Sequence, residues 1–410
     1  MTAAIAARRV GVGTFSATPR MRELVGQVLD SGRISYGPLS LEFEQRFAAL
    51  HGCQYAILSN SGTSALQVAL QALKEIHRWN DGDRVIVPAT TFVATANIVL
   101  HNRLVPVFVD VDPDTYSLDV DQLEWVIERD TRAIIPVSLF GQPANLSAVV
   151  QIARAHHLKV IEDSCETMFV SHRDQPVGSW GDIGCFSTYV AHLLVTGVGG
   201  LSTTNNPDYA AKMRSLVNHG MTLDCLNPGA NFSPQAAPGR RFRFESTGHS
   251  FRITELEAAL GLAQLDDLHE MLARRRGAAR HLMAGLMNIN AHYDQPFQLP
   301  VTAPGNEHAW MMFPIVLRHH NHGDKESLMA HLNRHGIETR DMLPLINQPA
   351  FKYIPKSDFP VSRNLIENGL YVRCHQDLTH EDVGYMVDVF GLWVDREFGT
   401  IFVPHPETVR

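Results

Sequence analysis

The chain has 410 residues, with 35 basic against 43 acidic side chains for a formal net charge of −8, and 45% of it is hydrophobic. At roughly 150 residues per domain, that length excludes a peptide or a lone binding module and fits a large domain joined to a smaller one. No stretch approaches the ~20 apolar residues of a membrane span and there is no overall cationic field, so neither a membrane nor nucleic acid is an expected partner.

The first residues carry Arg8 and Arg9 but no apolar core of a secretory signal. Cys53, Cys165, Cys185, Cys225 and Cys374 are scattered and odd in number. That spacing argues against a disulfide framework and a zinc site, and a reducing, cytoplasmic setting is expected. From residue 39 to about 220, helix and strand signals alternate, the pattern of an α/β domain around a largely parallel sheet. Ser40 is expected to cap a helix whose Phe43, Phe47 and Leu50 recur at helical spacing, with Gly52 at its end. The runs YAIL, RVIVPA, VPVFVDV, AIIPVSL and KVIED read as strands, with a helix from about Thr63 to His77 between the first two.

Beyond Gly220 the rhythm gives way to a Pro-, Gly- and Arg-rich loop over 227–243, in which Arg240, Arg241 and Arg243 suit a nucleotide diphosphate or simply solvent. A long helical pattern resumes near Thr254, and its ARRRGAAR run (273–280) reads as a solvated face. Residues 1–275 are expected to form an N-terminal arm and the large domain, and 276–410 a small C-terminal α+β domain.

Four features fall at strand ends, where an open α/β sheet binds its ligands. SNSGTSAL (59–66) turns through small residues into a helix and leaves free N–H groups at a positive helix end, a phosphate cradle. Asp163 ends KVIED facing the crevice, where a buried carboxylate needs a cationic partner. Phe92 in VPATTFVATAN offers an aromatic face, and GCFSTYVAHLLVTGVGG (184–200) brings a strand into Ser187 followed by an irregular segment with His192. An N-cap turn, a capping aspartate and core packing are the competing explanations of the first three. His156–His157 and RHHNHG (318–323) read as surface groups without metal-ligand spacing.

Taken in order, GPLSLEFEQRFAALHG, NSGTSAL, VPATTFVATAN, PVFVDVD, VIEDSCE, GSWGDIGCFSTY, the GG of GVGG and GHSFRITELEAALGLAQL resemble the DegT/StrS-type sugar aminotransferases. The resemblance implies pyridoxal-phosphate fold type I, aspartate aminotransferase-like, with a mainly parallel seven-stranded sheet in the large domain. It implies that Gly62, Thr63 and Ser187 hold the cofactor phosphate, with Ser250 in the place of an asparagine that reaches it across the interface of a homodimer. Phe92 would stack on the ring, Asp163 would pair with its nitrogen, and Glu166 stands where ordinary aminotransferases carry glutamine.

At the position of the lysine that forms the Schiff base stands His192, which resembles the pyridoxamine-phosphate-dependent 3-dehydratases of nucleotide-linked sugars, such as GDP-4-keto-6-deoxymannose 3-dehydratase. The implied reaction removes the 3-hydroxyl of a nucleotide-linked 4-keto-6-deoxy sugar, with His192 moving protons and L-glutamate restoring the amine form of the cofactor. The loop after His219 has only Cys225, with no Cys-x-Cys nearby, so no iron–sulfur cluster is expected. Tyr36, Tyr189, His219 and Arg252 are further expected substrate contacts. The rival readings are a sugar aminotransferase and a non-catalytic, cofactor-binding protein on a disabled transaminase fold.

Overall fold

The computed structural model describes residues 10–11, 15–222, 242–318, 324–343 and 345–398; Cys225, Arg240, Arg241 and residues 319–323 of the histidine-rich loop lie outside them. Two helices come first, α1 (Pro19–Ser31) and α2 (Pro38–Leu50), each opening on a proline, whose missing N–H costs nothing in a first turn. Ser40, expected as a cap, instead lies inside the first turn of α2. The cap position is Gly37, and the N–H groups of Gly37, Leu39 and Ser40 converge on the buried carboxylate of Glu255, an anion at a positive helix end.

Strands and helices then alternate as β1 (Tyr55–Ser59), α3 (Gly62–His77), β2 (Arg84–Pro88), α4 (Ala94–His101), β3 (Val105–Val109), α5 (Leu123–Val126), β4 (Thr131–Ile134), α6 (Leu146–Ala155) and β5 (Lys159–Asp163). A small hairpin, β6 (Ser171–His172) with β7 (Gln175–Pro176), leads to β8 (Ile183–Ser187), β9 (Gly200–Thr204) and α7 (Pro207–Val217). The main sheet has seven strands in the order β1-β9-β8-β5-β4-β2-β3. β9 runs antiparallel to both its neighbours and the other pairings are parallel. β9 carries no alternating pattern because it is buried along its whole length between β1 and β8. A Cβ on its Gly200 would lie 2.3 Å from the Ser61 carbonyl oxygen, so only glycine lets the strand approach the β1–α3 turn.

The C-terminal part comprises α8 (Glu255–Asp266), α9 (Leu268–His292), β10 (Phe297–Gln298), β11 (Met312–Leu317), α10 (Asp324–Arg334), β12 (Thr339–Asp341), α11 (Pro360–Asn368), β13 (Gly369–Arg373) and α12 (His380–Phe398). Its strands form an antiparallel sheet in the order β10-β11-β13-β12. Thr254 caps α8 through a capping box with Glu257. The long helical pattern that follows is two helices, broken at Asp267. Leu268, Met271 and Leu272 of α9 pack in the core shared with α1, α2 and α8, whereas Ala279, Leu282, Leu286 and Ile289 pack in the core beneath the C-terminal sheet. The ARRRGAAR run is not a solvated face throughout. Arg275 is 4% exposed, and its guanidinium donates to the carbonyl of Cys374 at 2.9 Å, with the Trp310 and Met311 carbonyls at 3.4 Å. Those hydrogen bonds offset part of the cost of burying the cation, whose Nε has no partner among the described residues.

Candidate active site

The crevice beyond the C-terminal ends of β1, β5 and β8 begins with the β1–α3 turn. Ser61 caps α3 by accepting from the Ser64 N–H at 3.0 Å, and the Ser64 hydroxyl is held on Asn60 Oδ1. Among the described residues, the N–H groups of Gly62 and Thr63 have no protein acceptor, so two donors remain at the positive end of a 16-residue helix. Ser187, at the end of β8, closes this turn from the other side. A Cβ at Gly62 would lie 2.6 Å from Ser187 Cβ and 2.8 Å from Cys165 Sγ. Thr63 is exposed and Ser187 is buried.

Asp163 stands at the other end, 4% exposed at the tip of β5. It accepts from the Thr95 hydroxyl at 2.8 Å and from the Cys165 N–H at 3.3 Å, and burial holds its carboxyl above the usual carboxylate range. No cation pairs with it among the described residues. Thr95 is held in turn by Thr91, 3.0 Å away, in the turn that leads into α4. Phe92 lies on that turn, 59% exposed, its carbonyl accepting from the Thr95 N–H. Sequence reasoning stopped at Phe92 and Asp163 and missed Thr95; two threonines four apart just past a strand end were the signal available.

Glu166 follows in the same loop, with Oε2 accepting from the Phe140 N–H at 3.0 Å. Burial, helped by the nearby Asp163 charge, pushes its carboxyl up to about 7. The folded chain therefore binds a proton here between about pH 4.5 and 7 that the unfolded chain has released, so stability from this group falls as pH rises through that window. Glu166→Gln, which removes the buried ionisation, is expected to raise the melting temperature of the cofactor-free protein by about 2 °C at pH 8. At pH 5 the gain should vanish. An equal shift at both values would contradict the assignment.

His192 lies in the segment between β8 and β9. The neck of that segment is closed by Thr188, whose N–H donates to the Gly199 carbonyl, and by Thr196, whose N–H donates to the Thr188 carbonyl; their hydroxyls meet at 2.5 Å. Leu193 and Leu194 are buried in the core shared with α8, which fixes the backbone just after the imidazole. His192 Nδ1 donates to the Ser187 carbonyl at 3.1 Å. A carbonyl can only accept, so Nδ1 carries the hydrogen and Nε2 keeps its lone pair in the neutral ring. Burial, opposed by that hydrogen bond, lowers its pKa to about 4, so the ring is a free base throughout the neutral range. Tyr189 packs edge-on against it, 6.1 Å between ring centres, and is 53% exposed.

Ser250, Arg252 and His219 form a separate group. Arg252 Nη2 donates to Ser250 Oγ at 2.9 Å and reaches His219 Nε2 at 3.2 Å. The intervening Phe251 carbonyl accepts from the Asn60 N–H, which ties this group to the β1–α3 turn. Tyr36 is placed elsewhere. It is buried, its hydroxyl donates to Glu44, and Arg214 lies over its ring and donates to the same oxygen. Its hydroxyl is spent inside the protein, so the expected substrate contact is not made by that group in this arrangement.

None of the six lysines follows the end of β1, β5 or β8 in the turns that frame the crevice. Lys74, Lys159, Lys212 and Lys325 pair with Asp81, Asp182, Glu75 and Asp341, and Lys356 donates to Asn347. Lys352 is exposed at the end of a short 3-10 turn. What the crevice presents is therefore an anion cradle, a buried carboxylate lacking a cationic partner, an exposed aromatic face and a neutral imidazole. These fit a phosphorylated, protonated heteroaromatic ring, which would supply the missing cation to Asp163.

A model of the DegT/DnrJ/EryC1/StrS aminotransferase family matches residues 16–390. Over 377 residues, the chain is 33% identical to the GDP-perosamine synthase of Caulobacter vibrioides, covering 90% of this chain and 95% of that protein. Among solved structures it superposes on GDP-4-keto-6-deoxy-D-mannose 3-dehydratase of E. coli with bound hydrated PLP, with a TM-score of 0.83, 25% identity and coverage of 93% of this chain and 100% of that one. The corresponding dehydratase with a trapped PLP–glutamate geminal diamine matches to the same extent. An aminotransferase from Psychrobacter cryohalolentis gives a TM-score of 0.84 at 28% identity, covering 94% and 98% of the two chains.

Proposed function

The chain belongs to the DegT/DnrJ/EryC1/StrS aminotransferase family, whose cofactor is pyridoxal 5′-phosphate or its amine form, and on that premise we propose that it is a 3-dehydratase of a nucleotide-linked 4-keto-6-deoxy sugar. The observation that carries this reading is the neutral imidazole of His192 at the end of β8, with Nε2 free, in a chain whose six lysines are engaged or exposed elsewhere.

When bound as the amine, the cofactor supplies a nitrogen that condenses with the sugar 4-ketone and a protonated ring that takes up electrons, and L-glutamate restores the amine afterwards. The residues of the chain divide the remaining work. The Gly62 and Thr63 N–H groups and the Ser187 hydroxyl hold the phosphate at the positive end of α3. Asp163, fixed by Thr95, keeps the ring nitrogen protonated by charge. Phe92 covers one ring face. Nε2 of His192 accepts a proton and delivers one to the departing 3-hydroxyl, so that it leaves as water. Glu166, with a carboxyl that titrates near 7, holds or gives up a proton beside the ring. Ser250, Arg252 and His219 offer a positive and hydrogen-bonding group for phosphate at the mouth of the crevice.

A second reading is favoured by the similarity to GDP-perosamine synthase and to an aminotransferase, which places a 4-amino sugar among the candidate products. The same cofactor contacts would serve it, with His192 acting where a lysine otherwise does. The two readings part on product composition. The protein is incubated with pyridoxamine phosphate, L-glutamate and a panel of nucleotide-linked 4-keto-6-deoxy sugars, and the products are weighed by mass spectrometry. The dehydratase reading expects a sugar that has lost the 3-oxygen. A product carrying nitrogen and all its oxygens except that of the ketone would establish the second reading. No product from any member of the panel would leave a cofactor-binding role without turnover.

The resemblance to this family also implies a homodimer and a cytoplasmic location, and both are part of the proposal. No helix among the described residues is long and apolar enough to cross a membrane.

A further inference from the structure

We propose that Gln264 is a positioning residue for His192, clamping the segment that carries the imidazole to α8. The inference rests on the reading of His192 as the proton-transferring group. The amide of Gln264 makes a two-point contact with the backbone of Val195: Oε1 accepts from the Val195 N–H at 3.0 Å, and Nε2 donates to the Val195 carbonyl at 2.7 Å. Nε2 also donates to the Leu260 carbonyl at 2.8 Å, which fixes the amide's own orientation on the last turn of α8. An acceptor and a donor matched to one residue's N–H and C=O replace the strand pairing that Val195 lacks.

The segment needs such an anchor. Between the neck at Thr188 and Thr196 it follows no regular ladder, and its hold comes from Leu193 and Leu194 in the core, the His192 N–H on the Tyr189 carbonyl, His192 Nδ1 on the Ser187 carbonyl and the Gln264 clamp. Gln264 and Val195 also line a cavity of about 290 Å³ with Phe15, Thr18, Met271 and Gln376. That volume gives water a route to the Val195 backbone once the amide is removed, so loss of the clamp loosens the segment instead of collapsing it. Proton transfer is steeply sensitive to placement, and a displacement on the order of 1 Å costs about 100-fold in rate. Gln264 touches neither the cofactor cradle nor the crevice, so its effect should fall on turnover and spare binding.

The test uses Gln264→Met, which keeps the length and removes both hydrogen bonds to Val195 with the one to Leu260, and Gln264→Glu, which keeps only the acceptor while ionised. Hydrogen–deuterium exchange of the cofactor-free protein is followed in peptides spanning 188–199. With the hydrogen bonds to Val195 lost, exchange in this segment should quicken about tenfold or more in Gln264→Met. In the loaded enzyme, kcat should fall on the order of 10- to 100-fold, with KM and cofactor affinity within about twofold. In Gln264→Glu, protection should return toward that of the parent protein as the pH is lowered and the carboxyl regains a proton to donate. Unchanged exchange in both variants overturns the proposal whatever reaction the enzyme performs, as does a loss of kcat that arrives with an equal loss of cofactor affinity. Full turnover in His192→Asn would instead overturn the reading of His192 and leave the exchange result standing, so the two failures are distinguishable.

Discussion

Replacing His192 with asparagine is expected to lower turnover by about 10²- to 10⁴-fold, the usual contribution of a positioned acid–base group. Asparagine can still donate to the Ser187 carbonyl that holds Nδ1, so the segment should keep its path. What disappears is the lone pair at Nε2. Binding of pyridoxamine phosphate, followed by its fluorescence, should stay within a few-fold of the parent protein, because the proposed phosphate and ring contacts lie on α3, the turn before α4, β5 and β8. Unchanged turnover would remove His192 from the chemistry. A companion variant checks the placement: in His192→Lys, borohydride reduction should fix the cofactor covalently to residue 192, as read by peptide mass. The parent chain, with histidine at that position, should retain none. Because burial holds the imidazole pKa at about 4, the acid limb of the parent enzyme's rate profile that belongs to this group should lie well below the ordinary histidine value of about 6.5.

Asp163→Asn should weaken cofactor binding by about 10²- to 10³-fold, the cost of removing one partner from a buried ion pair. The asparagine is nearly isosteric, and its single oxygen can still accept from Thr95 while its amide nitrogen faces the Cys165 N–H, the longer of the two contacts. Its lack of charge leaves a protonated ring nitrogen buried without a counterion, and the ring should then bind as the neutral base. Affinity measured between pH 6 and 9 should therefore be weaker throughout and should lose its dependence on the ring proton. Equal affinity in parent and variant would mean that Asp163 serves the fold and not the ring. Thr95→Val should have the same sign and a smaller size, since it leaves the charge and removes only the hydroxyl that aims it.

These expectations turn on features of unequal visibility in the sequence. The α/β alternation, the β1–α3 turn, the β5 tip at Asp163 and the entry of β8 into Ser187 were legible because each is local: a strand-length apolar run, a turn of small residues and a helix start. β9 was not, since a strand buried on all sides needs no alternation and its glycines serve a close approach that only the fold creates. The capping of α2 was misread for a related reason. Its acceptor, Glu255, comes from 215 residues further along the chain, and Ser40 bonds to that carboxylate instead of capping its own helix. Tyr36 beside Gly37 and Pro38 had the look of a mouth residue; its commitment to Glu44 and Arg214 depends on α2 and α7 meeting behind β1. Arg275 sat in a run of charges with an ordinary solvated appearance, yet three carbonyls from two other segments surround it. Thr95 and Gln264 bear no chemistry of their own, and their importance is visible only in what they hold. Patterns within a few residues survive translation into sequence, and contacts closed by the tertiary fold do not.

The central claim is that this site removes the sugar 3-hydroxyl, and a single-turnover experiment tests it without dependence on the amine donor. Protein loaded with one equivalent of pyridoxamine phosphate per site, free of glutamate, is mixed with the best-bound nucleotide-linked 4-keto-6-deoxy sugar, and the sugar is weighed by mass spectrometry. The account predicts up to one equivalent of product lacking the 3-oxygen, formed by the parent protein and at least 100-fold more slowly by His192→Asn. A product that keeps its 3-oxygen and carries an amine at position 4 would contradict it.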